Sequence, residues 1–269
     1  MSRSFVIVTA AGFGTRLQAD SPRRPFPKAL IPIERPMLDH ALANLPACDG
    51  VVVSAPRDYL AEFEALTGTA LSQSAAAGAA ALVVPGGASR QASVHAALSA
   101  LVDSFEMHPA DLVVIHDAAR ALTPKSVFIR VFDALADYPV VIPGIPVADT
   151  IKTVAAPSAA VAPAGGHANP TRSRPANPES GVETVLRTLA RDQLRAIQTP
   201  QGFHLETLVE LHERYAGREG DETCAFGDDA AMAEEAGIPV SIVAGDVLAF
   251  KITTPVDLEL AKTLVRKSS

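Results

Sequence analysis

Short runs of apolar, largely β-branched residues alternate along the chain with longer stretches in which apolar residues recur every three or four positions. The runs are Phe5–Thr9, Val51–Ser54, Leu82–Val84, Leu112–Ile115 and Val140–Ile142. They are continuously hydrophobic, as strands buried on both faces require. Between them, Met37–Leu45, Tyr59–Leu66, Arg90–Leu101 and Pro124–Ala134 carry helical spacing. Strands of this kind alternating with helices predict an α/β fold, a parallel sheet covered on both faces. Farther along, the pattern predicts helices from about His204 to Tyr215, from Asp228 to Ala236 and from Val256 onward, with a strand at Val240–Val243. Ligands of such sheets bind beyond the carboxyl ends of the strands. The polar clusters AAGFGTR, GGASR and HDAAR all fall there, after the first, third and fourth runs.

Two segments depart from the alternation. Residues 155–181 are nearly all Ala, Pro, Gly, Ser and Asn, a composition with too little to bury, and read as a disordered insertion. Thr69–Ala81 is Ala-rich and reads as a loosely packed helix or loop. No internal repeat is evident, and residues 1–269 read as one domain.

Composition narrows the function. The net charge is −7, which argues against a general nucleic-acid binder but leaves room for a local cationic cluster around a small anion. No apolar run is long enough to span a membrane, and the N-terminal residues enter a strand without a signal-peptide layout, so a cytoplasmic protein with no membrane partner is expected. Cys48 and Cys224 belong to no CxxC or Cys/His pattern and are expected to be unpaired thiols in a reducing compartment.

The first strand runs into Ala10-Ala11-Gly12-Phe13-Gly14-Thr15-Arg16. Glycines at such a turn let the backbone present N–H groups to phosphate oxygens. A dinucleotide fingerprint would need glycine where Leu17 stands and an acid ending the second strand, which ends Ser54-Ala55-Pro56; no GK[ST] follows, so the Walker form fails too. What remains is a Gly-rich loop with Arg16, followed by Pro27-Lys28. Two fixed cations of this kind suit charge building up on a phosphoryl group under attack. On these residues alone, a structural turn with solvated charges explains the loop equally well.

Six motifs, AAGFGTR…PKAL, GGASRQASV, VVIHDAAR, VADTIK, QTPQGF and FKITTPVDL, follow one another across almost the whole chain. In this order they resemble the 2-C-methyl-D-erythritol 4-phosphate cytidylyltransferases, whose near relatives are the ribitol-5-phosphate cytidylyltransferases. The resemblance implies a Rossmann-like, mostly parallel sheet with helices on both faces. It also implies a protruding β-arm at about 150–190 that crosses to a second subunit of a homodimer.

Site roles implied by the resemblance follow the matching positions. Arg16, Lys28 and Lys251 are the catalytic cations. Ala10, Ala11, Gly12, Gly14, Gly87, Ser93, Ala118 and Arg120 bind the nucleotide, reading cytosine largely through the main chain. Asp117 is the magnesium ligand, with a loop cap as its plainer alternative, while His116 should point away from it and be structural. Asp149, Thr150, Arg191 and Thr199 hold the acceptor, Arg191 as its phosphate clamp. The chain also departs from the family pattern. Eleven residues separate Arg16 from Lys28, more than is usual, with SPRRPF as the insertion; Ala88, Ala121, Ala249 and Gly227 replace an acid, a proline, an asparagine and a threonine. The implied reaction is transfer of CMP from CTP to a small polyol phosphate with release of pyrophosphate, assisted by Mg²⁺. Ribitol 5-phosphate as acceptor, a nicotinamide oxidoreductase and a non-catalytic nucleotide-binding regulator stand as alternatives.

Overall fold

The computed structural model describes residues 2–17, 26–155, 183–218 and 226–268. Most of the SPRRPF insertion, Cys224 and all but Ala155 of the 155–181 insertion lie outside them. The chain divides into two compact units, one formed by Met1–Ile145 with Ile197–Ser269, the other by Pro146–Ala196.

In the larger unit the alternation read from the sequence becomes β1 (Ser4–Thr9), α1 (Met37–Ala43), β2 (Gly50–Ala55), α2 (Leu60–Ser72), β3 (Ala80–Pro85), α3 (Arg90–Ser104), β4 (Leu112–Asp117), α4 (Lys125–Ala134) and β5 (Val140–Pro146). The smaller unit contributes β6 (Lys152–Val154) and β7 (Val185–Thr188), an antiparallel pair. The chain continues through β8 (Arg195–Ile197), β9 (Gln201–His204), α5 (Leu205–Arg214), α6 (Asp229–Glu235), β10 (Val240–Ala244) and α7 (Pro255–Ser268). The central sheet runs β10-β5-β9-β4-β1-β2-β3. The pairs β1–β2, β2–β3, β1–β4 and β5–β10 are parallel.

Side chains alternate across this sheet and feed two cores. Val6 and Val8 of β1, with Val51 and Val53 of β2, face Leu38, Leu42, Phe63 and Phe128 from α1, α2 and α4. Phe5, Ile7, Val52, Val113 and Ile115 face Val94, Leu98, Leu208, Leu211 and Met232 from α3, α5 and α6. Full burial of each large apolar side chain contributes about 1.5–3 kcal/mol, so strands apolar on both faces are what a doubly covered sheet requires.

One expectation is refined, and the mostly parallel sheet gains a strand the sequence pattern did not announce. The Ala-rich stretch is divided among ordered elements: its start completes α2, its end opens β3, and Ala70, Leu71 and Ala76 are buried between them. Within the otherwise parallel central strands, β9 inserts antiparallel between β4 and β5. Four residues are too few to announce a strand by periodicity; Phe203 is fully buried, and Gly202 allows α4 to lie directly over the strand. A Cβ on Gly202 would stand 2.5 Å from Val131 Cγ1 and 2.9 Å from Leu135 Cδ1. Gly202→Val should therefore lower unfolding free energy by about 1–3 kcal/mol through overpacking, measured by urea denaturation; an unchanged midpoint would show that α4 is free to retreat.

Candidate active site

From β1 the chain steps outward through β2 and β3, then returns to place β4 on the other side of β1. The sheet's order reverses there, and the loops after β1 and β4 diverge to leave a crevice beyond their carboxyl ends. A cleft of about 690 Å³ opens at this point, lined by the loop 9–16, Lys28, the residues around Gly87–Ser93, Asp117–Ala119, Lys251 and Thr253. A smaller hollow of about 440 Å³ lies at the other end of the strands, among His108, Tyr138, His204 and Glu206; it gathers no comparable set of cations.

The loop is held open by backbone bonds. Ala10 N–H donates to Ser54 O, Leu17 N–H to Gly14 O, and Lys28 N–H to Gly12 O at 3.1 Å. Gly14 has φ +62°, and a Cβ there would lie 2.7 Å from Lys28 Cδ, so only glycine lets the Lys28 stem lie across the turn. On the opposite wall a Cβ at Gly86 would overlap Ala11 Cβ. Ser93 is buried; its hydroxyl donates to Ser89 O and accepts from Gly87 N–H at 3.1 Å. It therefore shapes the cleft by fixing the glycine turn. Main-chain groups of Ala10, Ala11, Gly12 and Gly87 border the cleft, Gly12 and Gly87 exposed, while Ala118 is buried in its floor.

Asp117 is the buried charge at the centre. Its Oδ1 accepts from Thr9 Oγ1 at 3.0 Å and from Arg90 Nε at 3.2 Å; its Oδ2 accepts from Lys251 Nζ at 2.8 Å. Burial alone would raise its pKa, but the Arg90 and Lys251 cations hold the carboxyl far below the usual carboxylate range. Arg90 in turn donates from Nη1 to the fully buried Asp229 at 2.6 Å. Lys28 is pushed down to about 8, first by burial and then by the neighbouring Lys251 and Arg16 charges. Arg90 and Lys251 pair with Asp117, Arg90 also with Asp229, and Arg16 and Lys28 line the same cleft. The site is locally positive in a chain of net charge −7, and a polyanion would complete it.

Arg16, Lys28, Asp117, Lys251 and the nucleotide-binding positions other than Arg120 come together in this cleft. Thr199 and Arg120, expected at the acceptor and the nucleotide, make hydrogen bonds within the protein. Thr199 is buried; its hydroxyl accepts from Asp117 N–H and lies 3.0 Å from His116 Nδ1, so it fixes the end of β4. Arg120 donates to Ala249 O at 2.7 Å and to Ile197 O at 3.2 Å and does not line the cleft. It braces the Lys251 segment. His116 is fully buried against Phe128, and burial lowers its pKa to about 4, which keeps it neutral. Asp149, Thr150 and Arg191 are exposed in the smaller unit, where Arg191 Nη1 donates to Ala148 O at 2.8 Å. Sequence reasoning overlooked Arg90 and Asp229: GGASR displayed the arginine, but nothing local links it to an aspartate 139 positions away.

No group of three or more His, Cys, Asp or Glu side chains gathers as a metal site among the described residues. Asp117 Oδ2, bonded only to a half-exposed lysine, suits a hard divalent cation that draws its other ligands from water and phosphate oxygens, the usual habit of Mg²⁺. No helix among the described residues is long and apolar enough to cross a membrane. Cys48 is a free thiol, its pKa pushed up to about 11 by burial.

Residues 4–165 and 177–267 match the profile of the family described as IspD, 2-C-methyl-D-erythritol 4-phosphate cytidylyltransferase. The chain is 37% identical over 272 residues to the protein of that name from Streptomyces avermitilis, covering 99% of this chain and 93% of the relative. It is 36% identical to the Streptomyces coelicolor counterpart, with 99% and 86% covered. The crystal structure of the Thermus thermophilus protein of the same name superposes with a TM-score of 0.65 at 31% identity, covering 99% of this chain and all of that one.

Because burial and like charges depress Lys28, a bound polyanion should restore its proton. Inorganic triphosphate should bind with proton uptake, and its affinity should fall as pH rises through about 8, by up to roughly tenfold per unit. Lys28→Arg should remove that inflection. The sign for stability is opposite: the unfolded chain keeps this proton up to about 10.5, so the cost of charging Lys28 is relieved, and the fold stabilised, as pH rises above about 8. Calorimetric titration between pH 7 and 9.5 checks both the uptake and its loss.

Proposed function

Since the chain belongs to the 2-C-methyl-D-erythritol 4-phosphate cytidylyltransferase family, we propose that it transfers CMP from CTP to 2-C-methyl-D-erythritol 4-phosphate and releases pyrophosphate, a step of isoprenoid precursor synthesis. The observation that carries this reading is the crevice at the sheet's crossover, where Arg16, Lys28 and Lys251 surround one anchored aspartate.

The chemistry asks little of a general base. An acceptor phosphate oxygen, already anionic at neutral pH, attacks the α-phosphorus of CTP; the new O–Pα bond forms as the bond from Pα to the bridging oxygen breaks, and pyrophosphate departs in line. Positioning and charge stabilisation then supply most of the rate. Lys28 and Arg16 reach from the glycine loop toward the phosphates, where their charges offset those that build on the transition state and the leaving group. Lys251 is held at Asp117 until a triphosphate competes for it. Main-chain groups of Ala10, Ala11, Gly12 and Gly87 on the cleft wall would read cytosine. Asp117 would hold Mg²⁺ together with triphosphate oxygens; when bound, the ion neutralises charge at the α-phosphate.

The smaller unit fits the acceptor side of this reading. Asp149, Thr150 and Arg191 would bind the methylerythritol phosphate, Arg191 through its planar guanidinium, and by family resemblance they would do so in the active site of a second subunit. A cytoplasmic homodimer joined through the arm follows.

Pyrophosphate release should require CTP among the four nucleoside triphosphates, and methylerythritol phosphate should outperform ribitol 5-phosphate; release with neither acceptor would sink the assignment. Lys28→Ala and Arg16→Ala should each lower kcat by about a hundredfold or more while leaving the protein folded. Mixing Arg191→Ala with Lys28→Ala subunits should recover activity, because one site of the mixed dimer carries neither lesion. Exchange verified by mass without recovery would place Arg191 in its own subunit's site.

A further inference from the structure

Asp229 does not line the cleft, yet it is the most deeply buried carboxylate connected to it. Its side chain is fully buried, with Arg90 Nη1 at 2.6 Å and His212 Nε2 at 3.7 Å. Helix α6 does not need this carboxylate: Asp228 already caps it, accepting from Ala231 N–H at 3.0 Å. Gln201 fixes the turn around Asp229, its Oε1 accepting from the N–H groups of Asp229 and Ala230 and its Nε2 donating to Asp228 Oδ2. Ion pairing, not helix capping, therefore accounts for the Asp229 side chain.

We propose that Asp229 is a positioning residue for the transfer reaction: by holding Arg90, it directs a single nitrogen, Nε, onto Asp117 Oδ1 and leaves Oδ2 facing the cleft. This rests on the reaction proposed above. A guanidinium is a rigid planar fork and readily meets a carboxylate through two parallel bonds. Released from Asp229, Arg90 could rotate to take both Asp117 oxygens and cover the one available to a cation. With Nη1 committed to Asp229, Arg90 bonds to Asp117 through Nε alone at 3.2 Å while its buried Nη2 makes no hydrogen bond, and Thr9 Oγ1 shares the same oxygen at 3.0 Å. Along Lys251, Asp117, Arg90 and Asp229 the charges alternate in sign. The buried end of this row sets the geometry of its open end.

The test uses full-length protein with Mn²⁺ as a spectroscopic stand-in for Mg²⁺. Mn²⁺ affinity is measured by electron paramagnetic resonance in the presence of saturating CTP. Asp229→Asn should weaken Mn²⁺ binding by about tenfold, the lower end for loss of a partner that orients a metal ligand. It should lower kcat while leaving the KM for CTP within about twofold of the wild type. In an Asp117→Asn background the same substitution should change Mn²⁺ affinity no further, an interdependence that a general loss of packing would not produce. Should the asparagine variant fail to fold, the smaller Asp229→Ser gives the same readings. A folded Asp229 variant that binds Mn²⁺ like the wild type, or one whose effect persists undiminished in Asp117→Asn, overturns the inference alone. A wild type that binds no Mn²⁺ with CTP overturns the functional reading and this inference with it.

Discussion

An ionised carboxylate buried at the end of a strand cannot stand alone, and much of this fold follows from giving Asp117 its partners. Removing such a group from water costs several kcal/mol unless cations and hydrogen-bond donors replace the solvent. Thr9, in register with Asp117 across the β1–β4 pair, supplies a hydroxyl. Arg90 opens α3 and supplies one cation; Lys251, from the far end of the chain, supplies another. Arg90 then needs its own counter-charge, which comes from Asp229. That residue is placed by Gln201, and Gln201 is placed by the insertion of β9 beside β4. One buried charge thus ties together five other segments that lie far apart in sequence.

The segment Gln198–Gln201 is the hinge of these requirements. Gln198 exchanges hydrogen bonds with the backbone of Asp246, Thr199 secures the N–H of Asp117, and Gln201 holds the start of α6. With Arg120 bracing Ala249, the strand end bearing Asp117 and the loop bearing Lys251 are fixed to the same short stretch. The cleft consequently has a rigid floor and a softer wall. Arg16 is exposed at the end of the glycine loop and Lys28 is half-buried beside it. Such a division suits an enzyme that must hold one phosphoryl group accurately while admitting and releasing highly charged ligands.

Hydrophobic pattern alone made most of the sheet legible. β-Branched runs bounded by Gly, Pro and polar clusters announced β1 to β5, and the three loops after β1, β3 and β4 announced the cleft edge. Lys28, Asp117 and Lys251 could be read from motif resemblance. Residues whose role depends on pairing over a hundred positions, such as Arg90 with Asp229, could not be read from spacing. Thr199 shows the same limit from the other side: a motif identifies the position, but only packing reveals that its hydroxyl faces the backbone of Asp117. β9 was hidden because Gln201–His204 has no periodicity to display, and its antiparallel placement depends on neighbours already in the sheet.

The departures from the family pattern are interpretable in the same physical terms. Ala121 is fully buried with Ile33 and Met37 in a small satellite core, where a compact apolar side chain meets the packing requirement. Ala249 is also buried, but its contribution is its carbonyl, which accepts from Arg120 whatever side chain the residue carries. Ala88 lines the cleft between main-chain groups that remain in place. Gly227 differs from these three: a Cβ there would meet nothing within 4 Å, so the threonine hydroxyl is missing without any steric necessity. Substitutions at the first three positions leave the interactions made by backbone and packing intact. Ala88 and Gly227 each lack a polar side chain that the family pattern carries, Ala88 on the wall of the cationic cleft and Gly227 outside it.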